Sequence, residues 1–503
     1  MSMAGMYKKS DDGDAALPVA MAAPESLPLL HARSDESGFP DGGPSKGRSS
    51  SMDKDGSGGG GDGQQPELSL IGCLTAHCCF CVPYSWIARQ HPDQGKRASE
   101  ALTHGINGPI ATFFLLLNSM IGSGIFVQPY VFKEVGIFLA PVIYCVVGTA
   151  IFTGVDLLMR SADKYQIFDY SKLATTVMGP LGQQFVDTII VIGNFGSLVS
   201  YLLIIGSLVN DIVEQYTGFS SVTLMTVLVT TFLVVPGCLI RVFGKLSVFA
   251  YFSMAAIFGT FLFVVTAGPI ETRGEISLSE LNYWSVFQGF KHIGNVVFAL
   301  GFSNSVFHAF VSIKDVDRTA HNFSFISFAT ISFGLVICIS FGIIGYFSFG
   351  DDTESNILLN FSGNLGAIFK VIVVIHLLLY LPGDFIVMRF SFFRLLGFHV
   401  DDISDDTYIV GTLLTLFFTL GLVCTLEVFA SQSSLTYSLD LTGGIANSLT
   451  FFFFPGLIAL YCHTYAAEPK VCIKAMLLCI FGLALPIIVT ISIFVSSDEQ
   501  RRR

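Results

Sequence analysis

From residue 109 to residue 495 the chain is a succession of apolar stretches, each about 20 residues long, separated by short polar turns. A helix of that length crosses the ~30 Å hydrocarbon core of a bilayer, and within that core only helices or closed barrels satisfy their own backbone. The sequence predicts eleven spans, at about 109–132, 137–159, 184–212, 222–240, 247–268, 290–313, 322–349, 366–390, 408–428, 437–461 and 471–495. The fold class is therefore all-α and polytopic, with lipid as the solvent of most of the chain. Only 13% of the residues are charged and 52% are hydrophobic, whereas soluble domains carry about 25% charge. This excludes a soluble enzyme, a nucleic-acid binder and a secreted disulfide scaffold.

What polarity there is lies mostly in the first hundred residues, so residues 1–108 form a separate tail, followed by a membrane domain at 109–495 and a short C-terminal tail at 496–503. The stretch 34–65 is rich in Gly, Ser and Asp and cannot bury enough apolar surface to order itself. After it comes a segment with Cys73, Cys78, Cys79 and Cys81 beside Phe80, Tyr84 and Trp86. Its three readings are S-acylation at the membrane surface, a metal site with His77, and interfacial packing; the spacing fits no standard zinc pattern. Residues 1–14 are polar and lack the apolar core of a cleavable signal peptide, so the first span is expected to act as the insertion signal.

Charge placement orients the spans. With the N-terminal tail in the cytoplasm, the loops on its side hold eleven basic residues, among them Arg160, Lys164, Arg241, Lys314, Arg394 and Lys474. The opposite loops hold Lys133 and Arg273, with Lys291 and Lys370 at their flanks. That is the positive-inside bias, against which only Arg501, Arg502 and Arg503 stand. The sequon Asn360-Phe361-Ser362 then falls outside or in a lumen, where Asn360 can be glycosylated. Asn322 opens a second sequon, at a cytoplasmic span end where it should stay unmodified.

Two spans are interrupted. The first reads Asn118-Ser119-Met120-Ile121-Gly122-Ser123-Gly124, and the sixth reads Ala299-Leu300-Gly301-Phe302-Ser303-Asn304-Ser305. Small residues in mid-span either let two helices touch or mark non-helical backbone, which lipid tolerates only where it lines a cavity or is buried in protein. Breaks in spans one and six are what an inverted 5+5 repeat with one extra helix predicts. In such folds, half-helix N-termini face a carboxylate, while unwound carbonyls and C-terminal ends receive cations. A zwitterionic free amino acid fits that pair of opposed dipoles.

These residues resemble the amino acid/auxin permease family, the amino acid transporter transmembrane domain, and in particular its sodium-coupled neutral amino acid transporter branch. Four segments within 105–495 carry the likeness: Asn118 to Phe126; Phe298 to Asp315; Gly345 to Phe361; and Asp440 to Tyr461, with its Gly443-Gly444-Ile445-Ala446 and Phe454-Pro455-Gly456. The resemblance implies a leucine-transporter-like fold working by alternating access. It also implies substrate contacts from Gly122, Ser123 and Gly124 and a sodium-holding role for Asn118, which otherwise reads as an interhelical hydrogen bond. Ala299, Gly301, Ser303 and Asn304 fall at the matching break. Where the branch often has His-Pro, this chain has Ser303-Asn304, so substrate preference does not carry over.

The eighth span departs further. It contains no Ser or Thr between residues 366 and 390, and Tyr380 stands where the branch would show threonine. Proton coupling thus rises beside sodium coupling, and no cofactor is expected beyond the ion, Na+ or H+. Ionisable residues within spans are candidates by default: Asp384, which can titrate, gate or pair with Arg389, and His376, which can titrate or simply pack. His308, Asp187 and Asp211 are weaker candidates. The partners expected are a small amino acid and the bilayer, at the plasma membrane or a vacuolar or lysosomal one. An amino-acid sensor signalling through the tail and an uncoupled channel are the alternatives. No GxxxxGK[ST] loop is present to suggest a pump.

Overall fold

The computed structural model describes residue 105 and residues 107–239, 247–271, 281–398, 404–430 and 434–502. The tail, with its cysteine-bearing segment, lies outside the described residues. Those described form a helical bundle, numbered here α1 Pro109–Met120, α2 Gln128–Val135, α3 Leu139–Tyr165, α4 Tyr170–Thr217, α5 Val222–Cys238, α6 Ser247–Glu271, α7 Val286–Leu300, α8 Val306–Val311, α9 Ala320–Phe349, α10 Gly363–Leu395, α11 Asp405–Ala430, α12 Ser434–Cys462 and α13 Pro469–Arg502. Eight helices are long and apolar enough to cross a membrane, and a ninth crossing results if α1 and the segment Ser123–Val135 are one bent span. The chain is a multi-pass membrane protein.

The elements that fall short of a full span do so for local reasons. α1 starts on Pro109, whose missing N–H costs nothing at a helix start. It ends at Met120, and the chain resumes after Gly122 at an angle of 50°. α7 likewise stops at Leu300, and Gly301 and Phe302 separate it from a short turn and α8. α5 reads as a 17-residue-or-shorter apolar helix. The third expected span begins earlier than expected: α4 runs from Tyr170 but is kinked at Gly179, whose φ of 78° precedes Pro180. Proline's ring and missing N–H disrupt a straight helix there, so Tyr170–Met178 forms a separate arm before the kink.

Burial runs opposite to that of a soluble protein. Large apolar side chains face outward on the peripheral helices, such as Phe417 and Phe418 on α11 and Leu477, Ile487 and Phe494 on α13. Asn118, Asn194, Lys370 and Asp440 are buried among the helices. This is the arrangement lipid favours, since a polar group in hydrocarbon needs an internal partner. α4 and α10 pack along each other through the centre, and α7 is wedged against α2, α3, α12 and α13.

Candidate functional site

The two breaks meet. A Cβ at Gly124 would lie 2.9 Å from Ala299 Cα, so glycine there lets the two backbones touch. Next to this crossing, the hydroxyls of Ser119 and Ser305 are 2.7 Å apart. Further along, Asn107 pairs in parallel with the segment after α8: its N–H donates to Ser312 O at 2.9 Å and its carbonyl accepts from the Lys314 N–H at 3.0 Å. The chain entering α1 is thus strapped to the chain leaving α8.

Between the breaks and the central helices lies a cavity of ≈ 40 Å³, room for about three waters. α1 and its break contribute Ser119, Met120 and Gly122; α7, α8 and the turn between them contribute Phe298, Gly301, Phe302, Asn304 and Ser305. α4 adds Asn194, Ser197 and Tyr201, α10 adds Tyr380 and Asp384, and α12 adds Asn447 and Phe451. Asp384 is the charged member of this wall. Its carboxylate accepts from the Tyr201 hydroxyl at 2.6 Å, while the Tyr380 hydroxyl donates to Ser119 O at 3.1 Å. The two phenol rings meet edge to face at 5.7 Å. The pairing of Asp384 with Arg389 considered from sequence is replaced. Arg389 donates to Cys238 O at 2.9 Å and to Thr412 Oγ1 at 3.2 Å, and lies over the Tyr408 ring.

Of the sequence candidates, Gly122, Gly301, Asn304 and Asp384 line the cavity. Ser123, Gly124 and Ala299 lie beside it in the crossing rather than in its wall, all three buried. Ser303 opens the turn before α8, and its side chain is outside the described part. Asn118 is buried one turn before the break. Its Oδ1, with Ser123 Oγ and Asn304 Oδ1, takes no hydrogen bond among the described residues. Such buried oxygens suit a cation or a donor on a ligand, since each left unmet costs about 1–3 kcal/mol. His376 lies away from the cavity, its Nδ1 2.6 Å from Ser253 Oγ and its ring stacked on Tyr380. Among the described residues, no three His, Cys, Asp or Glu side chains cluster as metal ligands do. Asn360 ties the loop after α9: its Nδ2 donates to Asp352 O at 2.8 Å and its Oδ1 accepts from the Glu354 N–H at 2.9 Å.

Sequence reasoning missed the α4 and α12 faces of the cavity. A signal was present: Asn194, Ser197 and Tyr201 recur at i, i+3 and i+7, and Asn447 and Phe451 at i and i+4, which is one helix face in each case. Both ends of the cavity are fastened. On one, Arg394 reaches Asp187 at 3.1 Å and Asp169 at 3.7 Å, Ser171 donates to Asp187 at 2.7 Å, and Tyr170 donates to Thr450 O at 2.7 Å. On the other, the Ser285 N–H donates to Val135 O at 2.8 Å, and Asn282 Nδ2 donates to Lys133 O and Glu134 O.

The fold is thus a bundle broken twice around a central cavity. The fold is similar to that of Mhp1, a nucleobase-cation-symport-1 family transporter (TM-score 0.50, 12% identity, 77% of this chain and 92% of that one). It is also similar to that of a manganese transporter from Eremococcus coleocola (TM-score 0.50, 11% identity, 78% of this chain and 87% of that one). The chain belongs to the transmembrane amino acid transporter protein family, whose model matches residues 107–495. Its relatives include amino acid transporter AVT6E of Arabidopsis thaliana, 26% identical over 317 residues (59% of this chain, 63% of that one). Vacuolar amino acid transporter 7 of Saccharomyces cerevisiae is 23% identical over 273 residues (50% of this chain, 51% of that one). A Danio rerio protein named for sodium-coupled neutral amino acid transport is 22% identical over 379 residues (72% and 79%). The first of these curated relatives are matched over 41% to 63% of their own length.

Proposed function

We propose that this chain is a secondary transporter that moves free amino acids across a membrane by alternating access. The observation that carries the reading is the cavity at the meeting of the two breaks, walled by peptide ends and by a single carboxylate. The segment Ser123–Val135 begins at that wall, so its N-terminal N–H groups can take a substrate carboxylate, while the carbonyl ends of α1 and α7 take the ammonium group. In this reading, the bent and broken helices complete eleven crossings: five and five in inverted repeat, then α13. The basic loops put the N-terminal tail in the cytoplasm, and the vacuolar relatives make a vacuolar or lysosomal membrane a natural residence beside the plasma membrane.

Apart from Asp384 the cavity wall is uncharged, which favours neutral substrates. A second reading follows from Asp384: a half-buried carboxylate in the cavity wall whose donor is a phenol calls for a positive charge. That charge can be a coupling ion, H+ or Na+, or the side chain of a cationic substrate. Uptake of radiolabelled amino acids into proteoliposomes, with sodium and pH gradients imposed separately, tests both readings. Saturable uptake of neutral amino acids supports the first. Competition by lysine and arginine that disappears in Asp384→Asn supports the second. Binding without flux would overturn transport in favour of a sensor.

A further inference from the structure

Among the described residues, the most deeply buried ion pair lies outside the cavity, and nothing in the substrate site uses it. His292, on α7, places Nδ1 2.8 Å from Oδ2 of Asp440 on α12, with the two side chains 1% and 0% exposed. The other carboxylate oxygen, Oδ1, accepts the backbone N–H of Asn295 at 3.0 Å, and Asn295 Nδ2 donates to Thr436 O at 3.3 Å. The helices can come this close because their backbones touch. A Cβ at Gly294 would lie 2.1 Å from Asp440 O, and one at Gly443 would lie 1.9 Å from Gly294 O. His292 stands six residues from the start of α7 at Val286, or ~9 Å at 1.5 Å per residue. The cavity wall begins at Phe298, about as far again along the same helix. The pair therefore sits within the barrier that closes the cavity on that side.

Charged and titratable groups face the pair from several helices. From α2, Tyr130 presents its ring edge to His292 at 6.1 Å and bonds to Glu134. On α7 itself, the Lys291 ammonium lies 5.8 Å from the Tyr437 ring of α12. α3 and α9 bring the phenols Tyr144 and Tyr346 to this end, and the latter accepts the Asn282 N–H. Neither the turn Ser123–Val127 nor the segment Thr442–Asn447 carries a titratable side chain, and α13 meets Gly444 with Val489. Lys133 on α2, 5.5 Å over the Tyr130 ring, then stands with Lys291 against Glu134 and Asp440, two formal charges of each sign. Asp440 accepts from the Asn295 N–H and shares its other oxygen with His292 Nδ1, so a proton added to the pair turns that contact into one between opposite charges.

We propose that His292 and Asp440 are the proton-carrying couple of this transporter. One proton, held between Nδ1 and Oδ2, fastens α7 to α12 while the barrier is closed, and it leaves when the helices shift. Because the protonated pair favours the closed arrangement, linkage requires that closure favours protonation. A proton taken up where α7 meets the aqueous phase thus promotes closure over a bound substrate, and its release follows through the cavity side. No bond but that of the proton changes. This inference rests on the transport reading and names its coupling ion and the residues that hold it.

The test uses the full chain in proteoliposomes loaded with a mixture of the standard amino acids. Counterflow of the radiolabelled mixture, with no ion gradient, first establishes transport, and its absence would refute the transport reading itself. An inward acid gradient of one pH unit should then raise accumulation by up to about tenfold in the wild type, the limit for one proton per substrate. Asp440→Asn and His292→Gln should each reduce that gain to about onefold and leave counterflow flat with pH. Accumulation by both variants at the wild-type level would overturn the proposal. So would loss of counterflow and of acid-driven uptake in equal proportion, which would make the pair a structural clasp. Wild-type accumulation that follows sodium and ignores pH would overturn it too, with transport itself intact.

Discussion

Gly122 and Gly124 are two residues apart and have opposite surroundings, so substituting each separates substrate handling from packing. A Cβ at Gly122 would sit 3.7 Å from the Tyr201 hydroxyl and 3.7 Å from Tyr380 Cε1, which is ordinary contact. The added Cβ therefore meets no clash, so Gly122→Ala should keep the packing of the wild type. Gly122→Val adds two further methyl groups directed at a cavity of ≈ 40 Å³, which holds about three waters and is largely filled by them. Uptake should fall at least about 100-fold in kcat/KM, or about 2.7 kcal/mol of lost transition-state stabilisation. The melting temperature should move little. Gly124→Ala does the reverse: its Cβ meets Ala299 Cα at 2.9 Å and Phe298 Cδ1 at 3.1 Å. That overpacking costs about 1–3 kcal/mol, read as a lower melting temperature in detergent. Proteoliposome uptake and thermal unfolding of the three variants form the assay. Normal uptake by Gly122→Val would show that Gly122 lies off the substrate path and refute the cavity assignment.

Two further substitutions probe the frame around the cavity. Gly301→Ala would put a Cβ 2.0 Å from Phe451 Cε2, so stability should drop by about 1–3 kcal/mol and recover when Phe451→Leu is added; thermal unfolding reads both. Arg394→Ala strips the cation from Asp187, which is 1% exposed, and should destabilise the fold by about 3 kcal/mol. The melting temperature should fall, with partial recovery in the double variant carrying Asp187→Asn.

Much of the architecture was legible because lipid leaves helices few options. Hydropathy showed a multi-pass helical bundle, though eight or nine described helices, not eleven, are long and apolar enough to cross, and the glycines at 122, 124 and 301 marked both breaks. What the sequence did not reveal was who faces whom. Asp384 and Arg389 are five residues apart on one helix, and local spacing made them look like partners. The actual donor, Tyr201, is 183 residues away and reaches Asp384 only because α4 and α10 run side by side. The pairing of His292 with Asp440 escaped notice for the same reason: their 148-residue separation is closed by backbone contact at Gly294 and Gly443. Asn118 and His376 are both buried polar residues. Whether such a residue lines a cavity depends on the rotation of its helix, which a uniformly apolar neighbourhood does not specify.

The joined breaks also predict how the molecule moves. Gly124 rests on Ala299, Ser119 meets Ser305, and Asn107 is strapped to Ser312 and Lys314. With three ties along their length, the first and sixth spans should rock together against α4 and α10 rather than slide past each other. A disulfide between them should then be tolerated. With hydroxyl oxygens 2.7 Å apart, a Ser119→Cys, Ser305→Cys pair brings two thiols within reach of the ~2.05 Å S–S bond. The oxidised double variant should keep most of the uptake shown by its reduced form. The wild type, whose described cysteines are all unpaired, is the control for oxidation elsewhere. If oxidation abolishes uptake in the double variant and reduction restores it, the two spans must separate during the cycle. The cavity would then open by parting the breaks from each other, and the shared rocking motion would be wrong.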